Sequence, residues 1–300
     1  MPSTNEIKNH IKSVSETQKI TNAMYLIAST KLQKAKAELD KTRPYFAAVQ
    51  GEIKRIFRVD DKIDNKYFYP VEGAHDFKGD YGYLVVTADK GLAGAYNQAV
   101  IKQAMQLLHE HPGKVYVIGE YGRQYFYQNN IPIEKTFMYT AQNPTLHRAR
   151  EISSILIDDY NKGDIKKIFI IYTDYQGLNN AVCVERLLPF HRADFKSKQS
   201  EKDNGNIFTF EPSIGQVLDN IISAYVVGFI YSALVDSFCS EQQSRMSAMD
   251  SANTNAEKLL DDLGKQYNHT RQSDITREIT EISSGARSLK LNALKHKKEL

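Results

Sequence analysis

The sequence predicts an α/β fold combined with a long helical coiled coil. Its N- and C-terminal segments form an antiparallel two-helix coiled coil, and an α/β domain lies between them in the chain. Three observations predict this: an apolar heptad repeat at the N-terminal end, a second such repeat at the C-terminal end, and alternating strand and helix patterns between them. We expect residues 1–58 to be the N-terminal coiled-coil helix, residues 59–212 the central domain with its linkers, and residues 213–300 the C-terminal coiled-coil helix with a basic tail.

The first helix is predicted from steps of four and then three residues, which visit mostly apolar positions. Three of these positions, Gln18, Thr21 and Thr42, are polar. A repeat with so few polar positions is typical of a coiled coil. The visited positions are Ile7, Ile11, Val14, Gln18, Thr21, Tyr25, Ala28, Leu32, Ala35, Leu39, Thr42, Phe46, Val49, Ile53 and Ile56.

The central segment reads as alternating strands and helices. Strands are predicted at residues 84–87, 115–118, 168–172 and 182–187, and helices at about 95–111, 120–130 and 144–161. This alternation indicates a mostly parallel sheet with helices on its faces, which is a Rossmann-like arrangement. The polar stretches 59–80 and 194–206 read as connections to the two terminal helices.

The second helix follows Pro212, the last proline in the chain. At about 1.5 Å per residue the first helix would be roughly 80 Å long and the second up to roughly 130 Å. The end of the second helix should therefore project past its mate, and it carries the apolar residues Ile275, Ile279, Ile282, Ala286 and Leu289. This stripe either meets another protein or folds back on the central domain. The heptad positions are Ile214, Val217, Ile221, Ala224, Gly228, Tyr231, Val235, Phe238, Gln242, Arg245, Met249, Ala252, Ala256, Leu259 and Leu263.

An enzyme would need a site in the central domain. The segment Thr87–Gly94 is a glycine-containing turn between a strand and a helix, where α/β proteins often bind phosphate. Asp89 and Asp174 each follow a strand and could share a metal ion, although such aspartates more often cap the helix or turn that follows them. The chain has no G-x-G-x-x-G or G-x-x-x-x-G-K-[ST] motif and no catalytic triad at motif spacing. We therefore expect no catalysis and no cofactor.

The composition of the chain indicates the kind of compartment in which the protein works. Of the 300 residues, 41% are hydrophobic and 25% charged, which is typical of a folded protein, and the net charge of +3 gives no support for nucleic-acid binding. Cys183 and Cys239 show no pairing or metal-binding pattern, so a reducing compartment is expected. The most apolar run, residues 224–235, is too short to cross a bilayer. No signal segment is evident, so a cytoplasmic protein that meets the membrane only indirectly is expected.

The chain resembles the gamma subunit of rotary F-type ATP synthases over essentially its whole length and in order. The residues that carry this resemblance are Ile275-Thr-Arg-Glu-Ile-Thr-Glu-Ile-Ser-Ser-Gly-Ala-Arg-Ser288, Ser15-Glu-Thr-Gln-Lys-Ile-Thr-Asn-Ala-Met24, Ala28-Ser-Thr-Lys-Leu32, Thr87–Gly94, Leu187-Leu-Pro189, Glu211-Pro212 and Glu241–Met249.

The resemblance implies a central rotor without catalytic activity of its own. In that family the helical pair penetrates a hexamer of alpha and beta subunits, which bind the nucleotides and carry out the chemistry. The α/β domain and the lower coiled coil rest on the membrane-embedded ring of c subunits and bind the epsilon subunit. For this chain the resemblance implies a peripheral position at the cytoplasmic face of a bacterial cell membrane.

The resemblance also implies contact residues. Met24 would lie against an acidic loop of the beta subunit, and Arg245 would support the coupling of hydrolysis to transport. The other implied contacts are Arg271, Gln272, Thr276 and Glu278 with a catalytic-subunit loop, and Phe208 and Glu211 with the c ring. The chain has Ala93 where many relatives have cysteine, so no thiol chemistry is expected there.

Two other hypotheses stay open beside the rotor. An enzyme with its site near Asp89 and Asp174 would hydrolyse a substrate on its own. A generic coiled-coil tether would tolerate charge changes along its helices. The rotor hypothesis predicts a chain without nucleotide-dependent activity that purifies with a large ATPase.

Overall fold

A computed structural model describes residues 3–59, 63, 65–69, 79–138, 140–177, 180–195, 210–211 and 213–296, although a few of their side chains are excluded. The elements, in chain order, are α1 (Thr4–Val59), β1 (Asp80–Val86), α2 (Tyr96–Glu110), β2 (Gly113–Ile118), α3 (Glu120–Gln128), β3 (Lys135–Phe137), α4 (Leu146–Lys162), β4 (Ile165–Asp174), β5 (Ala181–Leu188), a 3-10 turn (Arg192–Phe195) and α5 (Ile214–His296).

The five described strands form one sheet in the order β3-β2-β1-β4-β5. The first four are parallel, and β5 runs antiparallel to β4. The predicted class, an α/β sheet with long terminal helices, is confirmed. The sequence pattern missed β3, because three residues are too few to show the alternation that marks a strand.

The sheet is buried on both faces because alternate side chains of each strand point in opposite directions. Tyr83 and Val85 of β1 pack with residues of α2 and α3 on one face. Leu84 and Val86 pack in a second core that contains residues of α4, α1 and α5. Both faces are therefore apolar, as expected for a parallel sheet covered by helices.

The contacts divide the chain into two compact units. We call residues 27–248 the sheet unit, and residues 1–26 with 249–300 the terminal unit. The predicted domain boundaries after residues 58 and 212 stay a prediction.

Within the sheet unit, α1 buries most of the predicted heptad positions. Ala28, Leu32, Ala35 and Leu39 are at most 7% exposed. The helix α5 adds a stripe that the heptad count did not single out, which consists of Leu218, Ile222, Val226 and Ile230. The beginning of α5 therefore has apolar residues around most of its circumference, as expected for a helix that is covered on several sides.

Because α5 is apolar on most sides, its ability to cross a membrane has to be considered. By length and composition alone α5 could cross a bilayer, because it contains an 18-residue window of mean hydropathy 1.7, which is longer than the apolar run predicted at residues 224–235. In the structure 61% of that window is buried inside the protein, which is also typical of a core helix packed on a sheet.

Within the terminal unit the two helices pair in an antiparallel register. The Thr4 hydroxyl donates to Asp274 over 2.5 Å, and the Thr21 hydroxyl donates to the Asn253 side chain. Residues later in α1 therefore contact residues earlier in α5. Thr21 is one of the three polar heptad positions, so this break in the apolar seam has a hydrogen-bonding partner on the opposite helix.

The far end of α5 extends beyond this pairing. Asp274 is level with the first turn of α1, and α5 continues to His296. Ile275, Ile279 and Ile282 are 49%, 62% and 67% exposed. These three residues of the predicted apolar stripe are therefore exposed in the terminal unit, and a protein that covers them stays a prediction.

An aromatic cluster lies where residues 65–69 meet the end of α1 and the residues that follow β5. Phe68 packs edge-on against Phe57 with ring centroids 4.7 Å apart, and lies 5.6 Å from Phe190 and 5.8 Å from Phe195. The backbone of residues 67–69 also exchanges hydrogen bonds with Phe190. The prediction of a purely polar connection is wrong for residues 67–69, because their aromatic side chains are buried.

Buried tyrosines predict an alkaline limit to stability. Burial raises the pKa of Tyr83 to about 12. It also raises the pKa of Tyr96, Tyr116, Tyr160 and Tyr172. Their neutral forms favour the folded state, so this stability is complete below the unfolded pKa of about 10 and is lost as pH rises through the folded values. We expect a lag in tyrosine ionisation, measured by absorbance, followed by ionisation together with loss of near-ultraviolet circular dichroism. Complete ionisation near pH 10 (about the unfolded value) with the fold intact would contradict this.

Candidate functional site

The carboxyl edge of the sheet at β1 and β4 is the place where a parallel α/β fold would bind a ligand. The helices after β1 and β2 cover one face and the helix before β4 covers the other, so the chain changes direction between β1 and β4. In open α/β sheets, ligands bind in the crevice at such a switch point. The segment Thr87–Gly94, which joins β1 to α2, lies at this edge. We call it the β1–α2 loop.

The β1–α2 loop is held by hydrogen bonds from inside the domain. The Asn97 side chain accepts from the Ala88 N–H over 2.9 Å and donates to the Lys90 carbonyl over 3.4 Å. The Thr87 hydroxyl donates to the Ile118 carbonyl over 2.8 Å. The loop is therefore fixed at several points along its backbone.

Asp89 and Asp174, the candidate metal ligands, each have a structural role. One carboxylate oxygen of Asp89 accepts from the Glu120 N–H over 3.0 Å, at the first residue of α3. Asp174 accepts from the side chain of Gln176 over 2.8 Å. Among the described residues, no group of three or more acidic, histidine or cysteine side chains is placed to bind a metal ion. Asp89 thus caps the start of α3, whereas the more common role of such an aspartate is to cap the helix or turn that follows it in the chain.

The helix α5 fills the crevice. The Ser237 hydroxyl accepts from the Thr173 N–H over 3.3 Å, and the Ser240 hydroxyl donates to the Thr173 carbonyl over 3.4 Å. Tyr96, at the start of α2, is 7% exposed, and its hydroxyl lies near Ser237 and Thr173. A helix of the same chain thus occupies the space that a nucleotide takes in a binding Rossmann fold. This packing counts against the enzyme hypothesis.

An ion pair on α5 completes this packing. Arg245 Nη1 lies 2.5 Å from Glu241 Oε1, one helical turn away, and the two side chains are only 11% and 8% exposed. Arg245 Nη2 donates to the Gly91 carbonyl over 3.1 Å and approaches the Lys90 carbonyl at 3.5 Å. Burial raises the pKa of Glu241 above its ordinary value, and Arg245 counteracts this by favouring the carboxylate.

Among the predicted contact residues, Met24 and the group near residue 271 lie at different levels of the terminal unit. Met24 is half-buried on α1, three residues beyond the Thr21 contact with Asn253. Arg271, Gln272, Thr276 and Glu278 are exposed on α5, near the level of Asp274 and the first turn of α1. The structure thus gives two separate surfaces, each accessible to a neighbouring protein.

The other predicted contacts differ in accessibility. Glu211 is exposed just before α5, whereas Phe208 lies outside the described residues. Arg245 was expected to be a charged shaft residue, but it belongs to the sheet unit and is largely buried against the β1–α2 loop. Its roles as a coupling residue and in contact with another subunit stay predictions.

Sequence reasoning missed Ser237, Ser240 and Tyr96 as residues that fill the crevice, because nothing in their spacing distinguishes them from ordinary helix positions. Glu241 enters the sequence analysis only as the first residue of a motif shared with the family. A signal is present in the sequence, because Glu241 and Arg245 are opposite charges four residues apart on one predicted helix. Such a pair has to be satisfied within the fold if the helix is buried.

The fold and the filled crevice together define the class of protein. It is an α/β domain built onto two long terminal helices, one of which closes the place where related folds bind nucleotides. A model of the ATP synthase family matches residues 3–289. The chain is 41% identical to the ATP synthase gamma chain of Caldanaerobacter subterraneus, over 94% of this chain and 98% of that one. It is 39% identical to that of Acetivibrio thermocellus, over 95% and 99%.

Solved structures agree with this fold. The central stalk and c-ring structure of the Tetrahymena thermophila mitochondrial ATP synthase matches 78% of this chain and 99% of its own, with a TM-score of 0.59 at 20% identity. A Euglena gracilis mitochondrial ATP synthase structure matches 94% of this chain and 95% of its own, also with a TM-score of 0.59, at 15% identity. The chain belongs to the ATP synthase gamma chain family, so the predicted resemblance is confirmed.

Proposed function

We propose that this chain is the central rotor shaft of an F-type ATP synthase. It would couple ion flow through a membrane ring of c subunits to ATP synthesis or hydrolysis in a hexamer of alpha and beta subunits. The epsilon subunit would bind the same rotor, and the complex would lie at the cytoplasmic face of a bacterial cell membrane. The chain itself would carry out no chemistry.

The observation that carries this proposal is the end of α5 in the terminal unit. Beyond Asp274, α5 has no described pairing with α1, yet Ile275, Ile279 and Ile282 are all about half exposed or more. A single helix with an exposed apolar stripe is stabilised when another protein covers that stripe. Family membership supplies a suitable environment, the interior of the subunit hexamer.

The geometry suits a rotor that acts mechanically. The two helices of the terminal unit differ in length and in the residues they expose, so the pair presents a different surface in each direction. Three identical catalytic sites arranged around such a shaft would each contact a different surface at any moment. Rotation would then change the conformation of each site in turn, because every orientation favours a different state of the surrounding subunits.

Purification of the tagged chain from its native membranes in mild detergent tests the proposal. We expect ATPase catalytic subunits and a c ring to purify with it, and we expect the isolated chain to hydrolyse no ATP. A chain that hydrolyses ATP alone would favour the enzyme hypothesis. A chain that purifies without any ATPase subunit would leave the rotor proposal without support.

Replacing Met24 with lysine tests the contact proposed for that residue. Met24 is half-buried on α1, and the resemblance places it against an acidic loop of a catalytic subunit. A positive charge there would form an ion pair that has to break at each step of rotation. We expect Met24→Lys to assemble normally and to lower ion pumping per ATP hydrolysed several-fold, measured in inverted membrane vesicles.

The matched control is Asn22→Lys, which adds the same charge at an exposed position two residues away on α1. Two residues along a helix correspond to a turn of roughly 200°, so the control side chain points away from the Met24 side. Unchanged pumping per ATP in Met24→Lys would contradict the contact. It would also fit the coiled-coil tether hypothesis, in which such a charge is tolerated.

A further inference from the structure

The contact between α5 and the β1–α2 loop lies close to the end of the sheet unit. That unit includes residues up to Ala248, and Arg245 is one helical turn before this point. The loop packs along the same turn, because a Cβ atom added to Gly94 would lie 3.9 Å from the Ser244 carbonyl oxygen and 4.0 Å from Ala248 Cβ. Because α5 is one continuous helix from Ile214 to His296, contacts between this turn and the β1–α2 loop can hold the helix in a fixed orientation.

Arg245 forms this contact by bonding both to α5 and to the β1–α2 loop. One nitrogen of its guanidinium group pairs with Glu241 on its own helix, and another donates to the Gly91 carbonyl. A planar guanidinium group presents several fixed donors, so it can bond to a carboxylate and to carbonyls at the same time. The bridge therefore resists rotation of α5 relative to the loop as well as separation from it.

The charges around the bridge are nearly balanced. Besides Arg245, the groups that act on Glu241 are Asp89 of the β1–α2 loop, which disfavours its carboxylate, and Lys31 of α1, which favours it. Hydrogen bonds between charged groups are stronger than neutral ones, especially where water is largely excluded. The bridge is thus a charge-assisted contact that adds to the hydrogen bonds of Ser237 and Ser240 with the Thr173 backbone in the same part of α5.

The loop at the other end of the bridge is stiff. The Asn97 side chain holds the Lys90 carbonyl, and the Asp89 side chain holds the start of α3. Leu92 has a φ of 62°, a left-handed conformation that is unfavourable for a leucine. Such a conformation persists only where the surroundings hold the backbone in place. A twist applied to Arg245 would therefore be passed to the sheet.

We propose that Glu241, Arg245 and the carbonyls of Gly91 and Lys90 form a torsional clamp, a set of contacts that prevents α5 from rotating relative to the β1–α2 loop and the sheet that holds this loop. This inference rests on the proposed rotor function. Arg245 is then a positioning residue: it acts by transmitting torque between the sheet domain and α5. Its 11% exposed side chain offers little surface to another subunit, so its effect on coupling passes through the loop.

The test uses the assembled complex. The catalytic hexamer is fixed to a surface, and a bead is attached to the sheet domain at Tyr127→Cys, because Tyr127 is 76% exposed. Cys183→Ser removes the other partly accessible thiol. Thermal fluctuation of the bead angle then reports the torsional stiffness between the hexamer and the sheet domain. Pumping per ATP in vesicles is measured in parallel.

Three variants separate the clamp from a general effect on folding. Arg245→Gln removes the charge and the bridge but leaves Glu241 buried without its cation, which is destabilising. The double variant Glu241→Gln with Arg245→Met removes both charges, which is often close to neutral for stability. Arg245→Lys keeps a cation beside Glu241, but its compact ammonium group lacks the planar set of donors. The control Lys162→Gln breaks an exposed ion pair of the same spacing on α4.

We expect the double variant and Arg245→Lys to assemble with unfolding temperatures near that of the wild type. Both should show a several-fold rise in the variance of the bead angle and a lower pumping ratio, while Lys162→Gln matches the wild type. If Arg245→Gln fails to assemble, the double variant decides. Wild-type stiffness in either the double variant or Arg245→Lys would overturn the clamp. A wild-type chain that joins no ATPase complex would instead overturn the rotor function.

Discussion

Replacement of Gly228 by leucine is expected to destabilise the sheet unit by about 3 kcal/mol, because extra atoms in a packed core force the neighbouring side chains to move. A Cβ atom at position 228 would overlap the ring of Phe46 on α1. That ring packs near Tyr231 at a centroid distance of 6.3 Å and edge-on against Tyr45 at 5.4 Å. Denaturation of the purified full chain, followed by near-ultraviolet circular dichroism, would measure the loss.

A second substitution tests the stated cause. Phe46→Ala removes the ring that a side chain at position 228 would meet, so Gly228→Leu should cost less in that background. Residues in contact typically show interaction energies of about 0.5–3 kcal/mol in such cycles. Additive effects of Gly228→Leu and Phe46→Ala would show that the ring is not what excludes a side chain.

The matched control is Gly264→Ala on the same helix. A Cβ atom there would meet nothing within 4 Å, so only helix propensity should change. Alanine is favoured over glycine in a helix interior by about 1 kcal/mol. We therefore expect Gly264→Ala to be neutral or stabilising, and an equal loss at both glycines would point to a general effect of substitution in α5.

Gly228 and Phe46 also show what the sequence could predict. Both lie on the apolar heptad lines counted from the two ends of the chain, and the structure brings them together. Such lines are predictable because each helix repeats its contact every three or four residues, so many positions contribute to one pattern. The parallel sheet was predictable for a similar reason, since each buried strand is a run of β-branched or aromatic residues.

Features that depend on contacts far apart in the chain could not be predicted. The packing of Ser237 and Ser240 on Thr173 requires α5 to cross the carboxyl edge of the sheet, and no local pattern specifies that crossing. The same holds for the Arg245 contact with the Gly91 carbonyl, because a backbone acceptor leaves no trace in the sequence. The predicted contact residues of the terminal unit were available only through resemblance, since on a solvated helix they look like any exposed polar residue.

The filled crevice explains how a fold that usually binds nucleotides can suit a mechanical role. In a binding Rossmann fold, the edge between the central strands is left open for a ligand. Here the edge accepts α5 through the Thr173 backbone and the buried Tyr96. The surface that would have given ligand affinity instead joins the domain to its helix, which is the connection that a rotor needs.

Phe68→Ala is expected to destabilise the sheet unit by about 3–5 kcal/mol, the usual cost of removing a fully buried aromatic ring. Phe68 is 2% exposed and contacts the rings of Phe57, Phe190 and Phe195. These residues come from α1, from the end of the sheet and from the 3-10 turn, so one cavity would weaken three connections. The loss would be measured as a lower denaturant midpoint of the purified full chain.

The control for Phe68→Ala is Tyr127→Ala, which removes an aromatic ring that is 76% exposed and should change stability by no more than about 0.5 kcal/mol. A conservative variant, Phe68→Leu, should recover a large part of the loss because it refills most of the cavity. If Phe68→Ala were as mild as the control, residues 65–69 would be a surface connection, as their polar neighbours in the sequence suggested. A large loss with recovery in Phe68→Leu would show that this short segment joins α1, the end of the sheet and the 3-10 turn into one folded unit.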